Sequence, residues 1–232
     1  MRIAVIPARG GSKRIPRKNI RPFNGKPMIA WPILSAIESK CFDSIIVSTD
    51  DEEVAEISKS YGAEVPFIRP DNLSDDYTST GAVVAHTIKW LNNHDEFPRE
   101  VCCIYATAAF MQHYDLQRGL LALKSNKADY AFTVTSYTFP IERAISITTE
   151  NRICMRNPEF YHTRSQDLEC AWHDAGQFYW GQADSWLKLK PIFTSNSIPI
   201  ILPRYSVHDL DTLEDWEEAE ILFDYIHNRL NR

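Results

Sequence analysis

A chain of 232 residues with 44% hydrophobic content can bury a full core as one large α/β domain, and it is too apolar for disorder to be expected. No run of about 18 apolar residues is present to span a bilayer, and the amino end enters a strand pattern at once, without the apolar stretch and cleavage site of a signal peptide. A formal net charge of -6 and a pI near 5.7 argue against a general nucleic-acid binder, and five cysteines without C-x-x-C spacing give neither a disulfide framework nor a zinc site; a cytoplasmic protein without membrane or nucleic-acid partners is expected.

In chain order, Ile3-Ala4-Val5-Ile6 reads as a short buried strand, followed by a glycine-containing loop and by a helix through Met28-Ile29-Ala30 and Ile33-Leu34-Ala36-Ile37. Its Trp31-Pro32 pair is tolerable only if the proline falls in the first turn. Ser44 to Ser48 is a second strand, Asp50 with Glu53 has the spacing of a capping box for a helix through about Tyr61, and Gly62 closes it. Val65-Pro66-Phe67-Ile68 reads as a third, edge-like strand because of its proline, before a helix near Thr80 to Leu91. Val101 to Tyr105 is a fourth strand, with Cys102-Cys103 as small apolar residues inside it; Asp115 to Lys124 is a helix, and Tyr130 to Val134 a fifth strand. Strands and helices alternating in this way imply parallel βαβ units with helices on both faces.

The alternation stops after about Ser136. Residues 137 to 172 contain Ile145-Ser146-Ile147 and Ile153-Cys154-Met155 flanking Glu150-Asn151, the pattern of a β-hairpin, and are read as an inserted arm within a single domain of residues 1 to 232. Gln177 to Trp180 restores strand character, Ala183 to Leu189 a short helix, Ile198 to Leu202 a further strand. The last helix places Trp216, Ala219, Leu222, Phe223 and Ile226 on one stripe, with Thr212 and Asp215 as its cap.

Charge locates the chemistry. The first 37 residues hold eight of the 25 basic residues and none of the 31 acidic ones, and most of these cations crowd the loop Arg9-Gly10-Gly11-Ser12-Lys13-Arg14-Ile15-Pro16-Arg17-Lys18-Asn19. A loop after the first strand of a parallel sheet lies at the carboxyl edge where open α/β folds bind ligands, and its glycines would bring backbone N–H groups to phosphate oxygens. It matches neither the Walker A nor the Rossmann glycine pattern, which weakens kinase and dehydrogenase readings; composition alone leaves a solvated basic loop as the alternative. Asp209-Leu210-Asp211 follows the last strand, and in an extended segment both carboxylates face one side, as a magnesium site needs, unless they only favour the dipole of the next helix. Arg164-Ser165-Gln166-Asp167 and His173-Asp174-Ala175-Gly176-Gln177 carry groups able to bind hydroxyls, amides and a carboxylate, or are surface residues of the arm. Because neighbours in a strand point oppositely, His173 and Asp174 are not read as a catalytic pair.

Ile6-Pro7-Ala8-Arg9-Gly10-Gly11-Ser12-Lys13-Arg14-Ile15-Pro16-Arg17-Lys18-Asn19, with Val47-Ser48-Thr49-Asp50, Arg69-Pro70 and Asp209-Leu210-Asp211-Thr212, resembles the CMP-sialate synthetase (acylneuraminate cytidylyltransferase) family over essentially the whole chain. Within it, Arg164 to Leu168 and His173 to Gly181 are similar to the branch acting on pseudaminic acid; the sialate branch has Arg-Pro-Asn-Gly where this chain has His173-Asp174-Ala175-Gly176, and Gln-Pro-Thr-Ser-Pro where it has Tyr105-Ala106-Thr107-Ala108-Ala109. The resemblance implies a mostly parallel Rossmann-like nucleotidyltransferase sheet with a β-hairpin arm used for dimerisation, and transfer of CMP from CTP to the anomeric hydroxyl of a nonulosonic acid. On it, Arg9, Gly10, Gly11, Ser12, Lys13, Lys18 and Asn19 bind CTP, Arg69 and Thr80 lie nearer the nucleoside, Lys13, Asp209 and Asp211 serve catalysis, the two aspartates hold Mg²⁺, and Gln166, Asp167, His173 and Asp174 meet the sugar acid. N-acetylneuraminate or legionaminate is the alternative substrate, and a non-catalytic binder of phosphorylated ligands the alternative of another class.

Overall fold

The structure, a computed structural model, describes residues 1–230, and side chains as far as residue 226; the last two residues of the expected domain lie outside the described residues. Strand β1 (Arg2–Pro7) is followed by a two-residue pair, β2 (Pro22–Phe23) and β3 (Lys26–Pro27), and by α1 (Ala30–Ser39), whose Pro32 falls in the first turn, where no intrahelical donor is lost. Next come β4 (Ser44–Ser48), α2 (Glu52–Ser60), α3 (Thr80–Asn92), β5 (Glu100–Ile104), α4 (His113–Asn126) and β6 (Tyr130–Ser136). A small antiparallel pair, β7 (Ile145–Ile147) and β8 (Ile153–Met155), precedes the long β9 (Trp172–Gln182), α5 (Ala183–Leu187), β10 (Ser197–Ile201) and α6 (Leu213–Leu230).

The main sheet has six strands in the order β10-β6-β9-β5-β1-β4. All run the same way except β9, which pairs antiparallel with both β5 and β6. Alternation along β1 divides the core: Ala4 and Ile6 pack under α1 and α4 with Ile33, Leu116 and Trp180, while Ile3 and Val5 pack under α3 and α5 with Val84, Ile88 and Trp186. Helices therefore cover both faces, as continuous apolar strands require. Cys102 and Cys103 are fully buried, and burial pushes both thiols well above their ordinary range, so they act as small core residues. A third cluster, Ile15, Phe23, Phe110, Leu210, Trp216 and Phe223, fastens α6 across the loops at one edge.

Two expectations fail. Residues 65 to 68 form no strand: Glu64 alone bridges to Ile46, and Pro66, lacking an N–H, ends the pairing. The cap of α2 is Asp51, not Asp50; Asp51 accepts from Val54 N at 2.9 Å, which leaves Asp50 free to accept from Gly10 N at 3.0 Å. The expected box on α6 does form, with Thr212 N donating to Asp215 Oδ2 at 2.7 Å and Asp215 N to Thr212 Oγ1 at 3.1 Å.

Candidate active site

After β1 the chain crosses to β4 on one side, then returns to β5 on the other, so the strand order reverses between β1 and β5. A crevice opens at the carboxyl ends of such neighbours. It holds three joined cavities. One of 240 Å³ is bordered by Arg69, Asp76 and Thr78; one of 260 Å³ by Ser12, Lys13, Arg14, Lys18 and Asn19; the two share Pro7, Arg9 and Thr80. The third, 410 Å³, is bordered by His173, Asp174, Gln177, His208 and Asp209, and meets the second at Tyr105 and Thr107. A larger cavity of 610 Å³ between α4 and α6 includes none of the expected residues, and its one arginine, Arg118, is already paired with Asp115.

The basic loop is folded so that its cations converge. Asn19 Nδ2 donates to the Arg9 carbonyl at 2.9 Å and closes the loop on itself. A Cβ on Gly10 would overlap the Asp51 side chain, so only glycine permits that approach, while Gly11 faces open space. Acids of the same chain answer each cation: Arg9 and Lys13 both pair with Asp76, Arg14 pairs with Asp211, and Lys18 Nζ donates to the Leu210 carbonyl at 2.6 Å and lies 3.9 Å from Asp211 Oδ1. Burial lowers the Lys18 ammonium below its ordinary pKa, and Asp211 partly offsets that, so an added anion would be favoured there. Arg17 is the exception to the basic-loop reading: it pairs with Asp51 and Glu53 at the start of α2 and borders none of the three cavities.

Arg69, 4% exposed, donates to the Ser48 carbonyl and to Ser74 Oγ, both at 3.2 Å, and stands 3.6 Å from Asp50; burial lowers its pKa. Thr80 is the first residue of α3, at the helix end that favours anions. Across the crevice Leu210 is buried against the α6 cluster, which turns its neighbours outward: Asp209 borders the 410 Å³ cavity and Asp211 faces Lys18. Of the expected residues, Arg9, Ser12, Lys13, Lys18, Asn19, Arg69, Thr80 and Asp209 border the three joined cavities, whereas Gly10 and Gly11, in the loop between Arg9 and Ser12, and Asp211, paired with Arg14, border none of them.

The expected sugar-side residues divide. His173 and Asp174 both border the 410 Å³ cavity although they are adjacent in β9. Gln166 and Asp167 stand in an exposed turn of the arm and border none of the three cavities of their own chain. Three further residues belong here: Tyr105 and Gln177, which stand inside stretches that the sequence singles out, and Asp76, which does not. Tyr105 separates two cavities; Gln177, 4% exposed, donates Nε2 to the Ser206 carbonyl at 2.5 Å and leaves Oε1 without a partner; Asp76 holds two loop cations. The departure at Tyr105 from the sialate pattern was a sequence signal; nothing in the sequence singled out Asp76.

A cationic crevice at the switch point of a mostly parallel sheet defines an α/β protein of the nucleotidyltransferase type, and the solved CMP:2-keto-3-deoxy-manno-octonic acid synthetase complexed with CTP has this fold, with a TM-score of 0.70 at 17% identity over 97% of this chain and 98% of that one. The family described as Cytidylyltransferase matches residues 3–222, and the chain belongs to that family. It is similar to pseudaminic acid cytidylyltransferase of Campylobacter jejuni, 44% identical over 225 residues covering 97% of each chain. It is also similar to CMP-N,N'-diacetyllegionaminic acid synthase of Legionella pneumophila, 30% identical over 229 residues covering 96% of each.

Proposed function

We propose that this cytidylyltransferase transfers CMP from CTP to the anomeric hydroxyl of pseudaminic acid, releasing pyrophosphate. The observation that carries this is the joining of the three cavities: an enclosed cation and a helix start at one end, a cluster of cations in the middle, and a polar pocket at the other, in the order a nucleoside, a triphosphate and a sugar acid would occupy. Phosphoryl transfer needs in-line placement and charge stabilisation more than a covalent catalyst. Arg9, Lys13 and Lys18 would bind the phosphates, Ser12, Asn19 and the backbone at Gly10 and Gly11 would orient them, Arg69 and Thr80 would face the nucleoside, and His173 and Asp174 would seat the sugar acid. Gln166 and Asp167 could reach a sugar acid only after the arm moves or from a second copy of the chain.

Asp209 and Asp211 would suit a hard divalent cation such as Mg²⁺: both are oxygen donors, they flank the buried Leu210, and both act on the Lys18 ammonium. No group of three or more possible ligands occurs among the described residues, so water and phosphate oxygens would complete the shell. When bound, the ion would neutralise charge developing on the phosphates. The aspartates' part is to hold it, and that of Arg14 and Lys18 is to keep Asp211 in place between ligands.

Pyrophosphate release is to be measured with CTP, Mg²⁺ and pseudaminate, N-acetylneuraminate or legionaminate. Turnover with pseudaminate is expected, and Asp209→Ala is expected to lower it roughly a hundredfold or more. Turnover only with another of these acids overturns the sugar assignment, and CTP binding without turnover on any of them favours a non-catalytic binder.

A further inference from the structure

The register between β6 and β9 breaks where the two strands border the crevice. Phe132 faces Tyr179 and Val134 faces Asp174, so two steps along β6 correspond to five along β9. The extra residues form a bulge. Gly176 takes φ +61 in it, and Thr133 Oγ1 accepts from the backbone N–H groups of Gln177 and Phe178 at 3.3 and 3.4 Å. In a regular strand residues 174 and 179 would point to opposite faces. Here the bulge lets the Tyr179 hydroxyl donate to Asp174 Oδ2 at 2.5 Å, while Gly176 N donates to Oδ1 at 3.0 Å.

Each carboxylate oxygen of Asp174 therefore has one protein donor. An ionised carboxylate accepts about four hydrogen bonds, so one position on each oxygen is left for whatever enters the 410 Å³ cavity that Asp174 borders. Tyr179 gives its only hydroxyl proton to this carboxylate. Behind it stands Tyr105, its ring centroid 5.3 Å away and the two rings inclined at 47°. Burial raises the pKa of the Tyr179 phenol, which keeps it a neutral donor across the working pH range.

We propose that Tyr179 is a positioning residue that aims the Asp174 carboxylate at the N–H and O–H donors of the sugar acid. This rests on the assignment of the 410 Å³ cavity to the sugar acid. Asp174 then reads the donor face of the sugar, and an isomer that presents no donor there leaves a fixed acceptor unpaired.

The test uses the full chain and pseudaminic acid, with pyrophosphate release followed against sugar acid at saturating CTP and against CTP at saturating sugar acid. Tyr179→Phe, which keeps the buried ring, is expected to raise the KM for the sugar acid roughly tenfold, the effect of losing a hydrogen bond to a charged group, and to leave the KM for CTP within about twofold. Asp174→Asn should raise the sugar-acid KM too, and adding Tyr179→Phe to Asp174→Asn should cost little more, because the tyrosine acts through the aspartate. The proposal is overturned if Tyr179→Phe leaves the sugar-acid KM unchanged, or if the double variant shows the product of the two single effects, as a general packing defect would. An Asp174→Asn variant with unaltered sugar-acid KM instead removes the underlying assignment of the cavity.

Discussion

Asp76 already holds two of the cations that a nucleoside triphosphate would need. Its carboxylate pairs with Arg9 and Lys13, from a loop lying between Arg69 and Thr80, so on the proposed function the phosphates would compete with Asp76 for the same guanidinium and ammonium groups. These cations hold Asp76 below the usual carboxylate range, and it stays ionised wherever the enzyme works. Removing that charge should help the substrate: Asp76→Asn is expected to lower the KM for CTP about threefold, less as salt is raised, since both partners are exposed and screened. Steady-state kinetics at two ionic strengths measures this, and an increase in KM would mean that Asp76 binds the substrate or its metal instead. At this scale the sequence was legible for the cations, whose chemistry is unambiguous, and silent on their partners. Asp76 lies 63 residues from Lys13, and only the folded chain shows that they meet.

Elements were read correctly where hydrophobic periodicity was strong. β4 and the β7–β8 pair have the expected limits, α3 runs one residue longer and α6 starts directly after its expected cap, Thr212, while the stretch at Pro66 forms no strand because an apolar run says nothing about whether a neighbouring strand offers it partners. The direction of β9 was equally hidden, since a strand has the same residue pattern in parallel and antiparallel company. One tie between elements is open to a stability test. Asp129, just before β6, accepts from Ser185 Oγ of α5 at 2.7 Å and from Asn196 Nδ2 ahead of β10 at 2.8 Å, and it pairs with Lys190; these donors, Lys190 foremost, bring its pKa down to about 2. A carboxyl depressed in the folded state adds stability above its unfolded value near 4, and that contribution is lost as pH falls through about 2. Asp129→Asn should therefore cost about 1 kcal/mol at pH 7, after allowance for solvent screening. The difference in urea midpoint between variant and parent should shrink between pH 4 and pH 2; a constant difference would show that shape, not charge, holds this corner.

At the scale of the whole molecule the hairpin stands out. Its pairing sets Ile147 opposite Ile153 and Ile145 opposite Met155, which places an apolar face on two strands of three residues each. Ile145, Ile147 and Ile153 are 52%, 71% and 74% exposed, and nearby Phe139 is 80% exposed. A lone hairpin is marginally stable in water, and such a patch on a surface marks a place where another surface is buried. A homodimer formed through residues 137 to 172 is the expected assembly, and Ile147→Lys with Ile153→Lys should convert it to monomer in sedimentation experiments. A parent protein that sediments as a monomer at micromolar concentration would end that expectation.

Local chemistry and periodicity were enough to show from sequence an α/β chain with a cationic, glycine-bearing loop after its first strand and two late carboxylates flanking a leucine, because each of those signals lies within a short stretch of chain. The placement of Gln166 and Asp167 away from the pocket, the bulge that joins Tyr179 to Asp174, and the pairing of Asp76 with the loop cations were decided by the tertiary structure alone. Each depends on where segments separated by many residues come to rest, and that follows from burying the whole set of apolar faces together.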